Sequence, residues 1–231
     1  MERSEVMQRL AIVRARIEAA MVAAGRGDGA VELLAVSKFH PASSMRAAYD
    51  AGQRAFGESR VQELAQKARE VADLADVQWH MIGSLQTNKA KELLGVPGLV
   101  MLHTLDRAGL ADELQKELSE RGTKLRALVQ VHATEETTKH GCRPNQVRAL
   151  LAHVGAKCPS IAVEGLMAMG PLEGDPASTF SVVHALLHEL RTETGLPLPV
   201  LSLGMSGDLE SAVLHGSTMV RVGTDIFGAR A

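Results

Sequence analysis

The sequence predicts an α/β protein folded as a closed (β/α)8 TIM barrel with an extra helix in front. Three observations lead there. Strand-like apolar runs alternate with amphipathic helical runs from end to end, which implies a parallel sheet joined by right-handed crossovers. Eight strand candidates fit within 231 residues, near the roughly 250 that such a barrel typically occupies. No G-x-G-x-x-G follows the first strand, as an open dinucleotide-binding sheet would have. With no linker or low-complexity segment in view, a single domain over residues 1–231 is expected.

The opening stretch MERSEVMQRLAIVRARIEAAMVAAGRG sets Glu and Arg among its apolar positions. That makes an amphipathic helix, not the continuous apolar core of a signal peptide, and Glu2, Glu5 and Glu18 disfavour a mitochondrial presequence. VELLAVSK (31–38) is the first strand, an apolar run ending in Ser37 and Lys38 before Pro41 stops it. ASSMRAAYDAG (42–52) follows as a helix closed by Gly52, RAFGE (54–58) as a short strand and SRVQELAQKAREVADLA (59–75) as a helix. VQWHMIG (77–83) is a strand, and QTNKAKELLG (86–95) a helix with a glycine stop. LVMLHTLD (99–106) and RAGLADELQKELSERG (107–122) repeat the pair. LRALVQVHA (125–133) is the fifth strand, and PNQVRALLAHVGAK (144–157) starts a helix at Pro144, where a missing N–H costs nothing. IAVEGLMAM (161–169) precedes STFSVVHALLHELRTETG (178–195), and PVLSLG (199–204) precedes GDLESAVLHG (207–216). TMVRVG (218–223) is last, followed by TDIFGARA.

Bulk properties narrow the function. A formal net charge of -2 and a pI near 6.5 argue against a general nucleic-acid binder or a membrane-surface protein. No stretch is long enough to span a bilayer. Cys142 and Cys158 form neither a disulfide framework nor a metal-binding cluster, so a reducing, cytoplasmic setting is expected.

In a barrel the C-terminal strand ends face the active site. That rule places Lys38 there, together with Glu58 and Ser59, Gly83 and Ser84, His132, Met167 to Gly170, Ser206, and Arg221 to Thr224. A strand-end lysine can be a solvated flank. Strand alternation, however, puts Lys38 on the same side as Val36, pointing into the barrel mouth. Partial desolvation there would lower its pKa and free the amine for Schiff-base chemistry. LGMSGDLE and RVGTDIFG are Gly-rich turns after strands 7 and 8, where barrels commonly hold phosphate. Gly223 permits close backbone approach, Thr224 offers an amide and a hydroxyl, and Ser206 and Gly207 open a helix whose free amides favour an anion. Glycine turns and Ser caps are ordinary punctuation taken singly. A phosphate site opposite an aldehyde-reactive lysine points to pyridoxal phosphate (PLP).

The same residues carry a resemblance. LLAVSK (33–38), AGQRAFGE with VQE (51–63), WHMIGSLQTNK (79–89), GLMAM (165–169), LSLGMS (201–206) and GSTMVRVGTDIFGAR (216–230) resemble, in order, the pyridoxal phosphate homeostasis protein family (the YggS/PROSC family). The resemblance implies a fold-type III barrel like the alanine racemase N-terminal domain, with PLP on Lys38 as an internal aldimine. It further implies that Ser206, Gly223 and Thr224 bind phosphate and that Arg221 faces the pyridine nitrogen. A cation there keeps that nitrogen unprotonated and the cofactor a poor electron sink. Met205 and Gly207 flank the phosphate turn, Ser59 stands where the family commonly has asparagine near the cofactor, and His80 could approach it or pack in the core. Ser84, His132 and Gly207 depart from the family pattern without touching Lys38 or Arg221.

Other candidates read as structural. Asn88 and Lys89 cap and flank a helix near the mouth. His184 and His188, spaced i, i+4, lack an acidic third ligand and fit an exposed face. The GSTM serine lacks a G-x-S-x-G setting. Three functions compete: a protein that holds PLP and delivers it to apo-enzymes without robust catalysis, a PLP-dependent racemase, and a barrel enzyme whose Lys38 forms a Schiff base with a phosphorylated substrate. A fold-type III racemase needs a tyrosine supplied by a further domain of its partner subunit. Tyr49 is the only tyrosine and reads as facing away, and the chain ends soon after Arg221. The first reading is therefore preferred, with a monomer expected because no racemase-like dimerisation domain is seen.

Overall fold

In the computed structural model, residues 2–134, 140–171 and 173–229 are described; Arg230, which closes the last family motif, lies outside them. The chain opens with α1 (Arg3–Ala23), whose Val6, Leu10, Val13, Ile17 and Ala20 recur at helical spacing and are buried. The eight expected strands follow as β1 (Glu32–Val36), β2 (Ala55–Glu58), β3 (Gln78–Met81), β4 (Leu99–Leu105), β5 (Leu125–Val131), β6 (Ile161–Ala168), β7 (Val200–Ser202) and β8 (Met219–Val222). Each pairs in parallel with the next, and β8 returns to β1 through Leu33↔Val220 and Leu34↔Arg221, closing the barrel. The crossovers carry α2 (Ala42–Asp50), α3 (Val61–Glu70), α4 (Ala90–Leu94), α5 (Ala108–Arg121), α6 (Pro144–Lys157), α7 (Ala177–Thr194) and α8 (Leu209–Leu214); α9 (Thr224–Phe227) follows β8. No helix among the described residues is long and apolar enough to cross a membrane.

Strand alternation divides the core. Outward residues such as Phe56, Trp79, Leu102, Val129 and Leu166 join one large cluster with the helices. Two small apolar groups, Leu34 with Ala55 and Met219 and Met101 with Leu128 and Met167, lie apart from it on the inward faces. Other inward positions are polar and buried: His80, His103, Gln130, Ser202 and Arg221. Leaving such groups unpaired is costly, and among the described residues His80 Nε2, His103 Nδ1 and Gln130 Oε1 are buried without a hydrogen-bond partner.

Several expected elements are shorter than their sequence patterns. The 86–95 helix divides into a 310 turn at Thr87–Lys89 and α4. α3 starts at Val61 and ends at Glu70, because the chain turns through Ala72 N–H to Arg69 and Leu74 N–H to Val71. α8 starts at Leu209, two residues later than expected, because the Asp208 carboxylate accepts the Met205 amide at 2.5 Å and holds 205–208 as a turn. β1 ends at Val36, so Lys38 sits two residues beyond the ladder, in a turn where Phe39 takes φ 65 and His40 donates to the Ser37 carbonyl at 3.1 Å.

Candidate functional site

A cleft of about 240 Å³ opens at the C-terminal end of the barrel. Its polar lining is Lys38, Ser206, Gly207, Arg221, Gly223 and Thr224; its apolar lining is Val36, Ile82, Met167, Met169 and Met205. A larger cavity of about 710 Å³ lies at the opposite end, between α1 and the strand starts, lined by residues such as Arg14, Glu18 and Gln53. It contains no strand-end residues, and the N-terminal face of a barrel serves stability rather than chemistry. The smaller cleft is the functional candidate.

Lys38 reaches the cleft from the turn after β1, half-buried. Across from it, the turns after β7 and β8 lie side by side. The amides of Ser206, Gly207, Gly223 and Thr224 donate to no other group among the described residues, and the Ser206 hydroxyl accepts a long bond, 3.4 Å, from the Asp225 amide. Gly223 is tight against β1: a Cβ there would stand 3.0 Å from the Val36 carbonyl oxygen. The absent side chain thus lets the last turn pack beside the strand that leads to Lys38.

Arg221 rises from β8 inside the barrel. Its Nη1 donates to the Ser202 carbonyl and hydroxyl, both at 2.7 Å, and its Nη2 to the Ala168 carbonyl at 2.9 Å. Burial lowers its pKa to about 10, against a small opposing effect of Asp208. The guanidinium therefore stays charged at neutral pH, and its three acceptors among the described residues are uncharged. Its positive charge is available to whatever sits above it.

The structure separates two expected site residues from this cleft. His80 is buried within the barrel, its Nδ1 2.9 Å from Nε2 of His103. Burial pushes His80 down to about 3 and His103 well below its ordinary value, with each also repelled by nearby cations. The pair is a neutral hydrogen-bonded unit of the barrel interior. Ser59 lines a neighbouring cleft of about 330 Å³ with Arg60, Gln62, Ser84, Gln86 and Lys89. Its carbonyl passes so close to Gly83 that a Cβ there would be 2.0 Å away, so only glycine allows the approach. Lys89 pairs with Glu92, Tyr49 bonds Asp76 outside the barrel, and His184 and His188 are exposed.

Other residues shape the site without having been singled out. Arg16 of α1 ion-pairs Glu210 at 2.7 Å and Asp225 at 2.5 Å, and donates to the Ser206 carbonyl at 3.0 Å, joining both amide turns from behind. Lys67 of α3 bonds the buried Glu58, together with Glu63 and the Ser37 carbonyl.

The alanine racemase N-terminal domain matches residues 9–231. Proteins called "Pyridoxal phosphate homeostasis protein" are 40% identical in Aquifex aeolicus (96% of this chain, 97% of that one) and 39% in Escherichia coli K12 (98% and 97%). The human relative is 38% identical over 96% of this chain and 85% of its own.

This chain belongs to the pyridoxal phosphate homeostasis protein family.

PipY from Synechococcus elongatus PCC7942, solved with PLP bound, superposes with a TM-score of 0.86 at 35% identity, covering 96% of this chain and all of that one. Alanine racemase from Corynebacterium glutamicum shares the fold at a TM-score of 0.75 and 15% identity, over 98% of this chain and 61% of that one. The family resemblance and the barrel read from the sequence are both borne out.

Proposed function

We propose that this family member binds PLP in the mouth cleft, with its aldehyde held as a Schiff base on Lys38, and serves intracellular PLP homeostasis and delivery rather than catalysis. One observation carries the reading: a small cleft gathers an amine, an arginine and four amides, and among the described residues the arginine bonds only uncharged acceptors and the four amides donate to no other group. The residues fit the cofactor's three parts. Ser206, Gly207, Gly223 and Thr224 would receive the phosphate, Arg221 would lie against the pyridine nitrogen, and Met167, Met169 and Met205 would contact the ring with polarisable thioethers. When bound, PLP supplies an aldehyde for the lysine and an electron sink whose strength depends on protonation of its ring nitrogen. A buried cation at that position opposes protonation and keeps the sink weak.

The carrier role rests on what lines the cleft. Among the described residues, Lys38 and Arg221 are its only titratable groups, and racemisation needs proton transfer on both faces of the substrate carbon. The PLP-bound PipY relative and the names of the homologues support the cofactor and the homeostasis role. A single domain spanning the chain, a monomer and a cytoplasmic setting complete the proposal. Delivery is tested by loading the protein with PLP and adding an apo-enzyme in excess. Reactivation faster than spontaneous PLP release into buffer supports direct transfer. Equal rates would reduce the role to passive storage.

A further inference from the structure

Lys38 is the residue between Ser37 and Phe39, and both neighbours are gripped by one ionic group whose Glu58 and Lys67 are buried and whose Glu63 is partly exposed. The Ser37 hydroxyl donates to Glu58 Oε1 at 2.7 Å, and the Phe39 amide donates to Glu63 Oε1 at 2.6 Å. Lys67 Nζ joins the two grips, donating to those same oxygens at 2.7 and 2.8 Å and to the Ser37 carbonyl at 2.7 Å. Its three bonds match the three hydrogens of an ammonium. Ser37 and Glu58 are fully buried and Lys67 is 5% exposed.

Two features set this group apart from ordinary core packing. Buried ion pairs are weak sources of stability, because desolvation offsets their attraction and an apolar replacement often packs as well; what they supply is directional geometry. In addition, Phe39 has φ 65, a left-handed conformation that a bulky residue holds only where its surroundings over-determine it. Glu63 accepts the amide of that strained residue. The strain and the grips meet at the turn that aims Lys38 into the cleft.

We infer that Glu58, Glu63 and Lys67 are positioning residues, a clamp on either side of Lys38 that holds its Nζ in place for reaction with an aldehyde. The inference rests on the proposed binding of PLP. In the reaction the neutral Lys38 amine bonds to the aldehyde carbon, and the carbonyl oxygen departs as water with both amine hydrogens, so no oxidant or reductant takes part. The clamp supplies orientation alone, a factor that can reach about a hundredfold for a displacement of roughly 1 Å.

The test compares wild type with Glu63→Ala, which removes the acceptor for Phe39, and Glu63→Gln, which keeps it. Glu63 is only half-buried, so these variants preserve the fold. Stopped-flow absorbance gives the rate of Schiff-base formation with PLP. Equilibrium binding of pyridoxamine phosphate, which has the same ring and phosphate but no aldehyde, reports the cleft without the lysine bond. Glu63→Ala is expected to slow Schiff-base formation by roughly tenfold or more while leaving pyridoxamine phosphate affinity within about twofold, and Glu63→Gln to recover most of the rate. A wild-type rate in Glu63→Ala, or a parallel loss of pyridoxamine phosphate affinity, overturns the clamp. A wild type that binds pyridoxamine phosphate but never bonds PLP overturns the parent reading of Lys38 instead.

Discussion

Replacing Lys67 by Met keeps the packed stem and removes the charge that two carboxylates share. Among the described residues, Glu58 would then be a fully buried carboxylate with only the Ser37 hydroxyl on Oε1 and no partner on Oε2. Breaking a buried pair by removing one member costs about 3–5 kcal/mol. In a chain of this size each kcal/mol lowers Tm by roughly 2–4 °C, so a fall of about 6–20 °C is expected. The loss should depend on pH. Burial already pushes Glu58 above the usual carboxylate range, with Lys67 and the Ser37 hydroxyl opposing it. A carboxyl with a raised folded pKa favours the folded state at low pH, and that contribution disappears as pH rises through the folded value. Lys67 limits the loss in wild type, and nothing replaces it in the variant. Burial also raises Glu63, but hydrogen bonds from Lys67 and the Phe39 amide outweigh it and hold Glu63 below its ordinary value. Even without Lys67, this partly exposed carboxylate should add little pH dependence between about pH 5 and 8, well above the ordinary carboxylate pKa. The difference between wild type and Lys67→Met, measured by urea denaturation, should therefore be largest near pH 8 and shrink toward pH 5. A difference under about 1 kcal/mol at pH 8, or one that grows on acidification, would refute a structural ion pair at this position.

Three further outcomes follow from the geometry. Because burial holds His80 at about 3, unfolding takes up a proton there between that value and the unfolded value near 6.5, so wild-type stability should fall on acidification by about 1.4 kcal/mol per pH unit from this residue; a His80→Phe, His103→Leu variant should lose that slope in the same denaturation series. Arg16→Met should weaken inorganic phosphate and pyridoxamine phosphate binding by roughly three- to tenfold, about 1 kcal/mol, since Glu210 and Asp225 would face the amide turns without their partner; isothermal titration calorimetry reads the change. Arg221→Gln can still donate to the Ser202 or Ala168 carbonyl but no longer opposes protonation of the ring nitrogen, so the variant should exchange the α-hydrogen of alanine for deuterium faster than wild type, followed by proton NMR.

The barrel was legible because alternation at two periods survives every local irregularity: all eight strands and the leading helix stand where the apolar runs placed them. The cleft was legible in part, since the strand-end rule depends on topology alone and brought Lys38, Ser206, Arg221, Gly223 and Thr224 to one place. His80 lies outside that rule. Its mid-strand position fits either an approach to the cofactor or a place in the core, and its bond to His103 on the next strand depends on register and not on spacing. Arg16 acts across 194 and 209 residues of sequence on Glu210 and Asp225, a contact no local pattern encodes. Lys67 and Glu63 left a weak trace, an i, i+4 pair on a helix, which reads as a solvated surface pair until the fold buries it beside Glu58.

The most direct measurement is an absorbance spectrum of the PLP-incubated protein and of Lys38→Ala, each before and after borohydride. Wild type should turn yellow and bleach with borohydride, the reduced label staying on the Lys38 peptide, and Lys38→Ala should stay colourless. A colourless wild type after incubation with PLP would contradict the proposed function, and a phosphate-binding barrel enzyme acting through Lys38 would take its place.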